Sequence, residues 1–162
     1  MPKVYHGQDA VDQAARYYGV KSMSPIARHI VIEEGFVPGV YKDSKGIPTE
    51  GVGLTGDYVG KNFFTEVMPV FEEKARTTTK DWDKLPEDAQ AAIVSMAYRG
   101  DWGKNTRRLL SEGKWKEAAK EYLNHDEYRE GKGKDATSAQ RAISERMERN
   151  AQTIFNLGTS NR

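Results

Sequence analysis

Seven glycines fall between positions 35 and 60, at 35, 39, 46, 51, 53, 56 and 60, and they limit what that part of the chain can build. Glycine reaches positive φ freely and loses much entropy in regular elements, so this density predicts turns and close backbone approaches. The surrounding residues 26–53 read IARHIVIEEGFVPGVYKDSKGIPTEGVG. A helix runs into them: Ser24 is an N-cap, Pro25 occupies the first helical position, and Gly35 closes it. Residues 39–43 and 47–51 predict a short hairpin across Ser44, Lys45 and Gly46, with Pro48 limiting it to an edge or irregular strand. The corner brings in Glu34 at the helix end, Asp43 nine residues later, and Thr49 six residues after that, just before Gly51-x-Gly53.

Two acids and a hydroxyl are the parts needed to cut a glycosidic bond. One group protonates the leaving oxygen while a second carboxylate stays ionised, to activate water or to attack directly. Glu34 meets the negative end of a helix dipole, which disfavours its anion, whereas a polar turn favours the anion of Asp43. Thr49 is suited to hold the water. From spacing alone, a surface glutamate, a turn aspartate and a strand threonine account for the same residues, because all three are common.

Three other motifs fail on context. Gly51, Gly53 and Gly56 spell G-x-G-x-x-G, but the preceding strand holds Pro48 and Glu50 and the following DYVGKN opens no helix, so no dinucleotide site is expected. DSKGIPTE places Lys45 and Ile47 where a calcium loop needs oxygen ligands. His29 and Glu33 lie one helical turn apart, but the chain has only three histidines and no third ligand is placed, so they read as a helix-surface pair. No metal or cofactor is expected.

The rest of the chain reads as helices. Residues 9–19 predict a short one, a packing element or docking arm, and residues 61–76 another that Pro69 kinks or restarts. A buried stripe of Ala89, Ala92, Ile93, Met96 and Ala97 follows Pro86 and ends at Gly100. Two further helices span 103–110 and 115–124, with Trp115 expected in the core. EYREGKGKDATS reads as a flexible basic loop, and Ser138 caps a last helix to about Leu157, with Ile143, Met147, Ile154 and Phe155 inward. The fold class expected is α+β, mainly α: an N-terminal extension (1–24), a small helix-and-hairpin lobe (about 25–60), a linking helix (about 61–76) and a helical lobe (about 77–157). A length of 162 residues suits one domain with two lobes. The net charge of +1 carries no electrostatic footprint for nucleic acid or a membrane surface. No apolar run approaches the roughly 20 residues that cross a bilayer, and MPKVYHGQDAVDQ lacks the layout of a secretory signal. The absence of cysteine excludes disulfides and thiolate chemistry.

EEGFVPGVYKDSKGIPTEGVG resembles the signature of the phage-type lysozymes, the muramidase family that includes T-even phage lysozyme. AAIVSMAYRG, TRRLLSEGKWKEAAKEYL and the arginines of the last helix extend the resemblance over roughly residues 25–157. It implies a two-lobed lysozyme-like fold and hydrolysis of the β-1,4 bond between N-acetylmuramic acid and N-acetylglucosamine in bacterial peptidoglycan. By position, Glu34 is then the general acid, Asp43 the second carboxylate, and Thr49 orients water or substrate, leaning toward inversion. Arg146 would hold Glu34, with Arg149 beside Glu33, and Gly53, Tyr98, Arg99 and Thr106 would line sugar subsites. The implied protein is a monomer made in the host cytoplasm without a signal peptide, acting on the cell wall in lysis or carried in the virion for entry. A non-catalytic peptidoglycan-binding module, or a transglycosylase or chitinase on the same fold, remains the alternative. Two residues depart from the family. Leu54 replaces a frequent histidine, which removes a buried ion pair, and Glu50 replaces an apolar residue, a charge expected to shift substrate or pH preference. The segment 54–80 is short for a second small-lobe helix, a space the N-terminal helix is expected to fill.

Overall fold

Local capping signals set the first half of the chain. The computed structural model describes residues 2–160, so Met1, at the head of the expected extension, lies outside them. The chain divides into two units, Met1–Glu72 and Glu73–Arg162. In the first, α1 (Gly7–Tyr18) buries Ala10, Val11 and Ala14 and ends at Gly19 in the left-handed region, φ 70°. It packs on α2 (Pro25–Glu34), whose Ser24 cap accepts from Ala27 N at 3.1 Å. α2 buries Ala27, Ile30 and Val31 and closes at Gly35, φ 76°.

The chain then turns into a three-stranded antiparallel sheet, β1 (Val37–Lys42), β2 (Pro48–Gly51) and β3 (Leu54–Thr55), in the order β1-β2-β3. Tyr41 pairs with Thr49 and Val40 with Glu50, and the register is irregular between Val37 and Val40. Thr49 pairs onward with Thr55. Before the helices begin, Tyr5 makes an antiparallel bridge with Phe36, through N–H···O bonds of 2.8 and 3.0 Å. Tyr17, Tyr18, Phe36, Phe63 and Phe64 form an aromatic cluster with ring centroids 4.9–6.4 Å apart. The N-terminal helix is therefore part of this unit's core. A π-helical turn, Phe63–Val67, capped by Asn62, changes to α pitch in α3 (Met68–Thr78), with Pro69 at the point of change.

The second unit is built on α4 (Glu87–Arg99), whose residues Ala91–Ala97 are all buried. α5 (Lys104–Ser111), α6 (Trp115–Tyr122) and α7 (Asp126–Lys132) follow, and α8 (Ser138–Ser160) packs against α4, α6 and α7. Met147 and Ile154 are fully buried as expected, while Ile143 and Phe155 are half-buried. Two expectations are corrected. Trp115 is half-buried at the start of α6, not core. The expected flexible loop contains α7, because Gly131 lets it approach α8 closely. A Cβ there would stand 1.9 Å from Ser144 Oγ and 2.3 Å from Gln140 O. Ser144 Oγ donates to Tyr128 O at 2.7 Å, and Glu148 accepts from Tyr128 Oη at 2.9 Å and pairs with Lys132 at 3.2 Å. The architecture is the expected mainly helical α+β class.

Candidate active site

The candidate residues fall in both units, and each group is set by its own local structure. Glu34 is the last residue of α2 and half-buried. Gly53 lies beside it: a Cβ on Gly53 would stand 3.8 Å from Glu34 Oε1. Gly53 has φ 76° and is exposed, so its bare backbone lies beside the Glu34 carboxylate with no side chain between them.

Asp43 organises the hairpin turn. Its N–H donates to Ile47 O (3.0 Å), its carbonyl accepts from Gly46 N (2.9 Å), and Gly46 adopts φ 78°. A tight turn closed by a left-handed glycine is a common hairpin connection. The Asp43 carboxylate takes part: Oδ1 accepts from Lys45 N at 2.8 Å and from Ile47 N at 2.9 Å. Both bonds fall on Oδ1, so Oδ2 is not consumed by the turn. Thr49 is buried, and its hydroxyl donates to Ile47 O at 2.9 Å. With its one proton committed, the Thr49 oxygen is left as an acceptor.

Glu50 departs from the expectation of a charge bearing on substrate. Alternation along β2 points it away from the Thr49 face. It is 7% exposed, and both of its oxygens are bonded, Oε2 by Tyr17 Oη and Oε1 by Gly60 N, each at 2.6 Å. Spacing along the chain gives no sign of these partners, because Tyr17 lies 33 residues upstream.

In the second unit, Tyr98 and Arg99 are half-buried at the end of α4. Thr106 is buried inside α5, at 2% exposure, where a residue lining an open subsite is expected to be accessible. On α8, Arg146 is half-buried and Arg149 exposed. A polar group that sequence reasoning misses lies here. Asp101 is 7% exposed, and its Oδ1 accepts from Tyr122 Oη at 2.9 Å. Its Oδ2 is buried and accepts no hydrogen bond among the described residues. Burial pushes the Asp101 carboxyl above its ordinary value, against the opposing pull of Tyr122 and of the charges on Arg99, Arg146 and His125. The same burial, with the Asp101 charge, raises the Tyr122 hydroxyl. Asn150, also buried, donates to Ser95 Oγ at 3.0 Å. The signal is the acid in YRGDWG, hidden by the aromatics around it. No group of three His, Asp or Glu side chains that could hold a metal occurs among the described residues. No helix among them is long and apolar enough to cross a membrane.

No family model matches the sequence, and no curated protein matches it. Among solved structures, it resembles the active form of P1 phage endolysin Lyz at a TM-score of 0.56, with 99% of each chain covered. The two share a fold. At 12% sequence identity the likeness is one of architecture, and the architecture is the lysozyme-like α+β fold expected from the sequence.

Proposed function

We propose that this chain is a muramidase that hydrolyses the β-1,4 bond between N-acetylmuramic acid and N-acetylglucosamine in peptidoglycan, in phage-mediated lysis or cell entry. The observation that carries this reading is the Glu34 carboxylate, held at the end of α2 against the open backbone of Gly53. The phage-lysozyme motif and the fold shared with an endolysin support the substrate class. Glu34 donates its proton to the leaving glycosidic oxygen. Asp43, through the Oδ2 that its turn leaves over, takes a proton from the attacking water. Thr49 accepts a hydrogen bond from that water, since its own proton is committed to Ile47 O. Attack by water on the face opposite the acid inverts the anomeric centre. Tyr98 and Arg99, half-buried at the end of α4, are candidates for sugar contact, and Arg146 and Arg149 are the charged candidates on α8. The lysozyme-like domain takes in the N-terminal helix that packs on α2 and β1 as well as residues 25–157, and the protein acts as a monomer on the bacterial cell wall.

Glu34→Gln tests the assignment of the acid. Turbidity clearing of a peptidoglycan suspension is expected to stop, with the melting temperature unchanged. Clearing at the parent rate overturns the assignment.

A further inference from the structure

Glu50 is a charged residue on a short strand, buried to 7% exposure, beside the hydroxyl that the proposed reaction uses. Burying a carboxylate is costly unless its oxygens are bonded. Here both are, at 2.6 Å each, the short distances of charge-assisted bonds. The donors come from far along the chain: Tyr17 at the end of α1, and the backbone N–H of Gly60 beyond β3. A second tie reinforces the first, because Asn62 Nδ2 donates to Tyr18 O at 2.9 Å. Tyr18 in turn lies over Gly51, where a Cβ would stand 2.1 Å from its hydroxyl. The Tyr17 hydroxyl is held above its ordinary range, first by its bond to Glu50, as a donor to a carboxylate must be.

The sheet needs such support. β2 has four residues and β3 two, and the β1–β2 register is broken between Val37 and Val40. A sheet this small is marginal without packing on another element. Glu50 pairs with Val40 on one side and Leu54 on the other, so it stands at the centre of the ladder.

We propose that Glu50 is a positioning residue: clamped by Tyr17 and Gly60, it fixes β2 and hence the placement of Thr49 and of the turn that carries Asp43. The inference rests on the muramidase reading for its catalytic meaning, and on the hydrogen bonds for its structural one. Glu50 and Thr49 point to opposite faces of the strand, so Glu50 acts through the backbone and touches no substrate. The N-terminal helix becomes a working part of the site, since it supplies the clamp's first donor.

Tyr17→Phe is the main test. It removes one oxygen from a side chain that is 41% exposed, so the variant folds. Hydrogen exchange by mass spectrometry is expected to speed up in peptides covering residues 47–51 and Gly60, with peptides from 86–99 unchanged. On peptidoglycan, kcat is expected to fall about 10-fold with KM unchanged, since displacements well under an ångström carry penalties of this order. Glu50→Leu, which removes both acceptors, gives the same pattern more strongly. Glu50→Gln, which keeps an acceptor for Gly60 N and a polar partner for Tyr17, recovers most of the rate. Unchanged exchange at residues 47–51 in Tyr17→Phe overturns the clamp, and so does faster exchange with kcat unchanged. The exchange measurement needs no activity. Should the parent fail to cut peptidoglycan, the muramidase reading falls, while exchange alone still decides whether the clamp holds the hairpin.

Discussion

In the hairpin, β2 spans four residues and pairs with a β3 of two, and a few polar bonds fix it, two on Asp43 Oδ1 and two on Glu50, one of them from Gly60 N. α8 spans 23 residues and is fixed by burying Met147, Ala151 and Ile154 against its neighbours. Apolar packing spreads stability over many small contacts, so no one atom is decisive. A few directional bonds place atoms more sharply, and each fails by itself. Reacting groups belong on the second kind of structure only when something behind them is rigid, which is the part assigned to α1 and Glu50.

Glycines test this contrast most severely. Gly51→Ala meets φ 61° and the Tyr18 hydroxyl at 2.1 Å, a loss on the order of 4 kcal/mol from strain and overpacking together. Gly131→Ala lies in a helix, where alanine is favoured by about 1 kcal/mol, yet its Cβ meets Ser144 and the Gln140 carbonyl, for a net loss of about 2 kcal/mol. Urea unfolding measures both. A tolerated Gly51→Ala would mean that backbone shape does not hold the hairpin.

Asp43 separates turn from chemistry. Asp43→Ala loses both bonds made by Oδ1 and is expected to cost about 1–3 kcal/mol by thermal or chemical unfolding. Asp43→Asn keeps that acceptor and melts close to the parent, while wall clearing falls by about 100-fold or more. Equal clearing by the parent and by the Asp43→Asn protein would remove the carboxylate from the mechanism.

How much of this is legible in the sequence follows the same division. Ser24 with Pro25, Gly46 after the turn and Gly100 after α4 are local signals, and each element they predict is present. α7 is not legible, because a glycine in a charged run reads as flexible and only the approach of Ser144 explains it. Glu50 misleads for a similar reason, since Tyr17 and Gly60 become its neighbours only on folding. Asp101 is visible only as the acid in YRGDWG, because burial, not spacing, makes it unusual. The candidate acid, turn carboxylate and hydroxyl are all legible as residues, whereas the bonds that tell Oδ1 from Oδ2 in Asp43 are not.

The helical unit carries a smaller, pH-dependent effect. A carboxyl raised above its ordinary 3.8 binds its proton more tightly when folded, so its contribution to stability is present in acid and is lost as pH rises from about 4 through its raised value. The groups facing Asp101 are Tyr122 on α6, Arg99 on α4, Arg146 on α8 and His125 before α7. Asp101→Asn cannot titrate, so it is expected to lose less melting temperature than the parent between pH 4 and pH 7. Parallel curves would contradict the burial of an unbonded Oδ2. The smallest effect belongs to Tyr18→Phe. Its hydroxyl is buried without a hydrogen-bond partner among the described residues, so removing it is expected to be neutral or to stabilise by about 1 kcal/mol in urea unfolding.

The central claim concerns which bond is cut and how. Digestion of purified peptidoglycan with the parent protein, followed by mass spectrometry of the released fragments, reads this directly. The account predicts new reducing ends on N-acetylmuramic acid. Anhydro-muramic ends, new ends on N-acetylglucosamine, or binding without any new ends would contradict it.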